Sequence, residues 1–256
     1  MSITIFHCQN ITKNYNSEPV VKDINLELPE CGFISLVGPS GVGKTTLFNI
    51  LSGVEKPDIG RVIFNGEDIT GISGKVSYML QKDLLLEYRT VLDNVILPLL
   101  IRGEKRNKAR EYAESFFPMF GISGYERKYP NELSGGMRQR AALLRTCLTA
   151  NSQSGQTESH VILLDEPFSS LDAITRNKMQ LWYADIAQQM KISTLFITHD
   201  VEEALLLSDR VYIMNGKPGR ITHKIDVKPL RPRGASFAVS VNFAKQKRLI
   251  LDAIGM

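Results

Sequence analysis

A glycine-rich segment that ends in a lysine and a threonine offers the first chemistry in this sequence. Residues 38–45 read Gly-Pro-Ser-Gly-Val-Gly-Lys-Thr and fit the pattern G-x-x-x-x-G-K-[ST]. The spacing predicts that backbone N–H groups and a helix N-terminus surround phosphate oxygens. Lys44 would then reach the β- and γ-phosphates of a nucleotide, and Thr45 would offer a hydroxyl ligand to Mg²⁺. The predicted nucleotide-binding residues of this segment are Gly38, Pro39, Ser40, Gly41, Val42, Gly43, Lys44, Thr45 and Thr46. The alternative is a tight strand-to-helix turn without a ligand.

Two adjacent carboxylates, Asp165 and Glu166, follow the apolar run 161–164. An unbroken apolar run is typical of a strand buried on both faces of a parallel sheet, and ligands bind where such strands end. Asp165 suits a Mg²⁺ position, and Glu166 suits a group that polarises the water attacking the γ-phosphate. Acidic residues also commonly end strands and begin turns, so the pair is informative because it accompanies the phosphate loop.

A third segment, residues 133–139, reads Leu-Ser-Gly-Gly-Met-Arg-Gln. Ser134, Gly135 and Gly136 would form a second anion site at the start of the following helix. Alternatively, Ser134 only caps that helix, and Arg138 and Gln139 lie on a solvated face. The segment resembles the signature L-S-G-G-x-x-[QR] of the ATP-binding cassette (ABC) ATPases.

The resemblance continues from about residue 3 to about residue 233. Tyr15 matches an aromatic residue that stacks on adenine, although it could also be a core or loop tyrosine. Gln81 matches a glutamine that ligates Mg²⁺ and senses the γ-phosphate. Asp172, in residues 169–172, matches a loop that crosses the dimer interface at the nucleotide. His199 matches a switch histidine that contacts the γ-phosphate, whereas a lone histidine at a strand end is usually a structural hydrogen-bonding group.

The resemblance implies an ATPase that works as a dimer. Two copies, or one copy and a paralogous ATPase, would bury two Mg-ATP molecules between the phosphate loop of one and the signature of the other. The catalytic residues that it implies are Glu166, His199, Gln81 and Lys44. The Mg²⁺ ligands that it implies are Thr45, Gln81 and Asp165. ATP and Mg²⁺ are therefore the expected cofactors.

Residues 90–99, Thr-Val-Leu-Asp-Asn-Val-Ile-Leu-Pro-Leu, resemble the ATPases of bacterial importers for nitrate, sulfonates, taurine and bicarbonate. This implies integral membrane permease subunits, a solute-binding protein, no nucleic-acid partner, and a peripheral position on the cytoplasmic face of the plasma (inner) membrane. Residues 84–88 are the expected permease-docking surface, or else they pack within their own subdomain. Other classes considered are a soluble ABC ATPase acting on nucleic acid or ribosomes, and a cassette that binds ATP without turnover. Intact Glu166 and His199 argue against the last.

Strands alternate with helices along the chain, which predicts an α/β fold. We expect strands at 2–9, 20–28, 32–37, 61–64, 161–164, 193–198, 210–214 and 220–227, and helices at 45–52, 105–120 and 137–148. Pro118 should end or kink the second helix, and the polar segment 149–160 should be a surface loop. The expected fold class is that of the ABC ATPases: a P-loop NTPase core with a mixed or parallel sheet, an antiparallel β subdomain and an inserted α-helical subdomain. We expect one domain over 1–235, with the helical subdomain at about 83–150 in a RecA-like core, and a short C-terminal tail at 236–256.

Composition sets limits on the remaining classes. The chain has 256 residues, of which 43% are hydrophobic and 23% charged, as in ordinary globular proteins. A net charge of +4 is too small to indicate nucleic-acid binding, and three widely spaced cysteines fit neither a disulfide framework nor a zinc site. The apolar run 95–101 is shorter than the roughly 18–20 residues of a membrane-spanning helix. The N-terminus lacks a secretory signal pattern, so a reducing cytosol is expected.

Overall fold

A computed structural model of the chain describes residues 3–150, 160–229, 231, 233 and 235–255. The strands are β1 (Thr4–Tyr15), β2 (Glu18–Pro29), β3 (Phe33–Val37), β4 (Ile59–Phe64), β5 (Glu67–Asp68), β6 (Ser77–Met79), β7 (His160–Asp165), β8 (Ile192–Thr198), β9 (Arg210–Asn215) and β10 (Arg220–Asp226). The helices are α1 (Lys44–Leu51), α2 (Val91–Val95), α3 (Leu97–Ile101), α4 (Arg106–Glu114), α5 (Phe117–Phe120), α6 (Gly135–Ala150), α7 (Ala173–Gln189), α8 (Val201–Leu207) and α9 (Val241–Ile254). None of the helices in these residues is both long enough and apolar enough to cross a bilayer.

The central sheet has the strand order β10-β9-β3-β8-β7-β6. Its inner strands run parallel, and only β10 pairs antiparallel, with β9. Alternate residues of β7 enter different cores: Ile162 and Leu164 join one apolar cluster, and Val161 and Leu163 join another. Successive side chains of a strand point to opposite faces, so the sheet is buried on both faces. The apolar run 161–164 is therefore the buried strand that the sequence predicts.

The second sheet is antiparallel, with the order β2-β1-β4-β5. The prediction that the first strand stops at residue 9 is wrong, since β1 continues to Tyr15. Asn10 has a positive φ of 53°, and the register shifts between Cys8 and Ile11. A bulge absorbs the polar residues without ending the strand. The mixed sheet, this antiparallel sheet and the inserted helices confirm the predicted fold class.

Helices α2–α6 lie between β6 and β7 in the chain. The expected single helix at 105–120 is wrong, because α4 and α5 are separate helices. Pro118 occupies the first turn of α5, where its missing N–H is tolerated, and Gly121 ends α5 in a left-handed conformation with φ of 64°. Helix α6 runs to Ala150, so the predicted loop at 149–160 begins later than expected. Residues 151–159 of that loop lie outside the described residues.

The segment 236–256, expected as a short tail, contains helix α9. Phe243 and Ile250 of this helix are buried in a cluster with residues of α8 and β9. Ser240 caps the helix by accepting a hydrogen bond from the Phe243 amide at 3.1 Å. At the other end, Asn215 of β9 donates to the Ile254 carbonyl at 3.0 Å. Helix α9 is therefore packed against the core.

Asn94, in the motif at 90–99, organises the segment before α2. Its side chain is fully buried, accepts from the Leu86 amide at 2.6 Å and donates to the carbonyls of Leu86, Arg89 and Thr90 at 3.0–3.2 Å. Replacement of Asn94 by Ala removes all of these side-chain hydrogen bonds, which are partly buried. We expect Asn94→Ala to lower the free energy of unfolding by about 2 kcal/mol in urea denaturation. The exposed Asn107→Ala serves as control, and equal stability of the two variants would contradict this assignment.

Candidate functional site

The phosphate loop requires glycine at two positions where neighbouring strands approach it. The loop joins β3 to α1, and a Cβ on Gly38 would lie 2.1 Å from the backbone oxygen of Met214 in β9. Gly43 has φ of +103°, and a Cβ there would lie 2.6 Å from Val21 of β2. Only glycine fits these positions without displacing backbone or core. The loop is thus held against both sheets, and its last residues open a helix whose first N–H groups lack intrahelical partners.

Lys44 begins α1 and turns back over the loop. The side chain is buried, and Nζ donates to the carbonyl oxygens of Gly38 and Pro39, both at 2.8 Å. Burial lowers the pKa of Lys44, while the charges of Glu166 and Asp165 oppose this shift. The ammonium group therefore lies within electrostatic reach of both predicted carboxylates.

Asp165 ends β7 and receives two hydroxyl groups on one oxygen. Its Oδ2 atom lies 3.3 Å from Thr45 Oγ1 and 3.4 Å from the Tyr78 hydroxyl. Burial and the neighbouring Glu166 raise the pKa of Asp165, and the two hydrogen bonds oppose the shift. No sequence motif indicated Tyr78; its place in the short strand β6, which pairs with β7, is the signal that could have found it. Its ring packs edge-on against Phe48 at 6.0 Å, which fixes the hydroxyl.

Glu166 connects His199 and Gln81. Its Oε1 atom lies 3.2 Å from His199 Nδ1, and its Oε2 atom accepts from Gln81 Nε2 at 3.2 Å. The backbone of Glu166 is left-handed, with φ of 47°, and its amide donates to the Ile197 carbonyl at 3.0 Å. Such strain in a non-glycine residue persists only where surrounding contacts impose it, and it is concentrated at functional sites. The structure thus brings together three of the predicted catalytic residues.

The donor set at this edge of the sheet fits a magnesium ion. Mg²⁺ prefers oxygen ligands, and it usually binds through one or two carboxylates together with substrate phosphates. Thr45 provides a hydroxyl, Asp165 a carboxylate and Gln81 an amide oxygen. The Thr45 and Asp165 oxygens already lie 3.3 Å apart. Their chemistry is therefore compatible with the predicted Mg²⁺ role.

Tyr15 lies at the end of β1 with 42% of its surface exposed, which excludes the buried-core alternative. Its hydroxyl donates to the Glu55 carboxylate at 2.6–2.7 Å, and Lys13 Nζ lies 5.6 Å from the ring centre. Burial and Glu55 raise the pKa of Tyr15, and a hydrogen bond with Thr46 opposes the shift. The ring therefore stands next to the end of the phosphate loop. Stacking of Tyr15 on adenine stays a prediction.

The signature segment has local contacts of its own. Ser134 Oγ accepts from the Met137 amide at 3.4 Å, as its capping alternative requires. A Cβ on Gly136 would lie 3.4 Å from Thr175 of α7. Asp172 caps α7 by accepting from the Ile174 and Thr175 amides at 3.1 and 3.0 Å. Within the described part of the chain, no hydrogen bond joins residues 134–136 to the phosphate loop. The nucleotide roles of Ser134, Gly135, Gly136 and Asp172 stay predictions.

Two arginines of α6 hold the segment that follows Gln81. Arg138 pairs with Asp83 at 2.9 Å and with Glu87 at 2.8 Å, and it is not a freely solvated residue. Arg145 donates to the Leu84 carbonyl at 2.9 Å and also to the Asp83 carbonyl. Leu84 is left-handed, with φ of 47°, so Arg145 binds the strained turn directly. We call Arg138 and Arg145 together the arginine clamp. No sequence motif indicated it.

Residues 84–88 include both buried and exposed apolar side chains, so each of the two roles considered for this segment has some support. Leu85 is buried in the core that contains the helical segment, which matches the packing alternative. Leu84 is 51% exposed and Tyr88 is 75% exposed, which leaves two large apolar side chains on the surface. An ordered backbone therefore presents Leu84 and Tyr88 outward.

Comparisons with known proteins agree with this geometry. The family model described as ABC transporter matches residues 21–169. An uncharacterized ABC transporter ATP-binding protein of Methanocaldococcus jannaschii is 38% identical over 96% of this chain and 90% of its own length. The formylaminopyrimidine import ATP-binding protein ThiZ of Halalkalibacterium halodurans is 41% identical over 84% of this chain and 80% of its own. The aliphatic sulfonates import ATP-binding protein SsuB of Bacillus cereus is 35% identical over 94% and 90%.

Solved structures give the same result. A bacterial ABC transporter cassette, solved as a dimer, shares 26% sequence identity with this chain. The match has a TM-score of 0.72 and covers 88% of this chain and all of that one. A post-hydrolysis dimeric structure of an ATP-binding cassette, bound to ADP and Pi, is 27% identical with the same TM-score and coverage. The chain belongs to the ABC transporter family. It is an ATP-binding, ATP-hydrolysing cassette, so the predicted family and the predicted ATPase class are confirmed.

The position of Lys44 leads to a binding prediction. Replacement by Ala removes the ammonium group directed at the loop, and charge-assisted hydrogen bonds contribute about 1.5–3 kcal/mol each. We expect Lys44→Ala to weaken ATP binding by roughly ten- to a hundredfold in isothermal calorimetry. Lys178→Ala, an exposed lysine of α7, should bind ATP like the unmodified chain. Unchanged ATP affinity in Lys44→Ala would show that this loop does not bind the phosphates.

Proposed function

We propose that this chain is the ATP-hydrolysing subunit of an ABC importer and powers solute uptake through a separate integral membrane permease. The observation that carries the site assignment is the convergence of Lys44, Asp165, Glu166, His199 and Gln81 at the ends of four neighbouring strands, β3, β8, β7 and β6. The import ATP-binding relatives, 35–41% identical over most of the chain, support the importer role. The transported solute is determined by the permease and a solute-binding protein, which we propose as further partners.

Each side chain of the site has a role that its position supports. Lys44 would neutralise charge on the β- and γ-phosphates, and Glu166 would accept a hydrogen bond from the attacking water. His199, 3.2 Å from Glu166, would contact the γ-phosphate. When bound by Thr45, Asp165 and Gln81, Mg²⁺ would offset the negative charge of the phosphates. The site contains two carboxylates beside one lysine, so additional positive potential is needed to hold a triphosphate.

A second copy would supply that potential. Ser134, Gly135 and Gly136 open the 16-residue helix α6, whose N-terminus carries a partial positive charge. We propose that the N-terminus of α6 in one protomer closes over the nucleotide held by its partner, with two Mg-ATP molecules between two copies or between this chain and a paralogous ATPase. The dimeric cassette structures at 26–27% identity support this arrangement.

Replacing Glu166 with a neutral residue should slow ATP hydrolysis but leave ATP binding intact. In Glu166→Gln the water loses its charged hydrogen-bond acceptor, and general bases contribute about 10²–10⁴-fold to rates. We therefore expect phosphate release to fall by at least about a hundredfold. Mg-ATP should at the same time produce a dimer in size-exclusion chromatography with light scattering.

The matched control is Glu111→Gln, which changes an exposed carboxylate of α4 and should hydrolyse ATP normally. Wild-type turnover in Glu166→Gln would reject Glu166 as the key carboxylate.

We propose that Leu84 and Tyr88 are the docking surface for a cytoplasmic segment of the permease, which would place the chain peripherally at the cytoplasmic face of the plasma (inner) membrane. The partner segment would be an amphipathic helix with its apolar side on these residues. Three polar anchors support this role, because Arg138, Arg145 and Asn94 fix the loop before any partner binds. A preorganised surface loses less conformational entropy on association.

This docking surface is tested on the complex purified from detergent extracts of native membranes through a tag on this chain. We expect the double variant Leu84→Glu, Tyr88→Glu to lose the permease while its soluble ATPase activity stays normal. Val239→Glu, at an 86% exposed site elsewhere, should retain the permease. Retention of the permease by the double variant would place docking elsewhere, and recovery of ribosomal proteins or DNA would contradict the importer.

A further inference from the structure

Glu203 is a buried carboxylate that the nucleotide site does not use. It lies in the first turn of α8 with 5% of its surface exposed. Gln180 of α7, also buried, donates from Nε2 to Glu203 Oε1 at 2.8 Å. The Thr198 hydroxyl is near enough to the same carboxylate to lower its pKa. Burying a charge is costly unless partners compensate it, so this buried carboxylate calls for a functional explanation.

The contacts of Glu203 form a closed ring around His199. The Asp200 amide donates to Thr198 Oγ1 at 2.9 Å. The Glu203 amide in turn donates to Asp200 Oδ1 at 3.2 Å. Both chain neighbours of His199 therefore adjoin Glu203: Thr198 lies near its carboxylate, and Asp200 accepts from its amide and from that of Glu202.

His199 itself depends on this backbone. Its side chain is 62% exposed and pairs with Glu166 at 3.2 Å, so little side-chain packing sets its direction. A cavity of about 10 Å³ is lined by His199, Glu166 and Glu203 together with Arg176. The buried carboxylate thus borders the same cavity as the two proposed catalytic side chains. Burial raises the pKa of Glu203, and the bonds from Thr198 and Gln180 and the charge of Arg176 oppose this shift.

We propose that Glu203 is a positioning residue for ATP hydrolysis: through Thr198 and Asp200 it fixes the backbone on both sides of His199, and through Gln180 it ties this segment to α7. The inference rests on the proposed role of His199. Asp172, the residue expected at the dimer interface, caps helix α7, and the Gln180–Glu203 hydrogen bond joins this helix to the segment that contains His199.

Steady-state kinetics of the full chain test the proposal. In Glu203→Gln an NH₂ group replaces one of the two acceptor oxygens, so the side chain can no longer accept from both Gln180 and Thr198, which weakens the ring. We expect kcat to fall about tenfold while KM for ATP stays within about twofold, because the phosphate loop is untouched. Thr198→Val removes only the hydroxyl of the ring and should show the same split between kcat and KM. Glu202→Gln, the neighbouring residue paired with Lys247 at the surface, should behave like the unmodified chain.

A reciprocal exchange separates positioning from general damage. The double variant Gln180→Glu, Glu203→Gln restores a donor facing an acceptor, and it should return kcat to within about threefold of the unmodified chain. If Glu203→Gln and Thr198→Val are slow but the exchange is no faster, the hydrogen-bonded ring does not explain the loss and the proposal is overturned.

His199→Ala tests the role of His199 separately from the positioning role of Glu203. Wild-type kcat in Glu203→Gln and Thr198→Val, with an inactive His199→Ala, overturns the positioning role alone. Full activity in His199→Ala overturns the role of the histidine on which the proposal rests.

Discussion

The parallel alignment of β3, β8 and β7 brings the residues of the nucleotide site together. Since these neighbouring strands run in one direction, the phosphate loop after β3, His199 after β8, and Asp165 and Glu166 at the end of β7 reach the same edge. Residues separated by more than a hundred positions in the chain therefore meet within hydrogen-bond distance. A shift of one residue in this register would reverse the faces of the apolar side chains, so the two cores fix the site.

Charge balance is the reason that we propose a second copy to complete the site. Asp165 and Glu166 stand beside the proposed phosphate position, and the charge of Lys44 interacts with both. A triphosphate adds further negative charge. Mg²⁺ beside the carboxylates and a helix N-terminus from a second copy on the opposite side of the phosphates would balance this negative charge. Local hydrogen bonds already order the groups on both sides. Tyr78 and Thr45 orient Asp165, and Ser134 caps the helix that would close the site.

The sequence predicted the parts of the site that depend on local pattern. The glycine spacing at 38–43, the acidic end of an apolar strand and the signature segment each come from one stretch of chain, and their motifs could be identified directly. Tyr78, the arginine clamp and Glu203 could not, because their partners are distant in sequence and only tertiary packing brings them together. The break between α4 and α5 was missed for a related reason: an apolar periodicity continues across two helices that share one buried face. The bulge at Asn10 was not predicted, because one residue with a left-handed backbone conformation does not produce a recognisable sequence pattern.

Cysteine cross-linking tests whether two copies close head to tail around the nucleotide. Ser40→Cys would mark the phosphate loop in one tagged copy and Ser134→Cys the signature in another, both with Glu166→Gln and with the exposed Cys31 replaced by Ser. The account predicts a disulfide between the two copies that forms with Mg-ATP and is absent without it. No intermolecular disulfide at saturating Mg-ATP, or one that forms equally without nucleotide, would contradict the account.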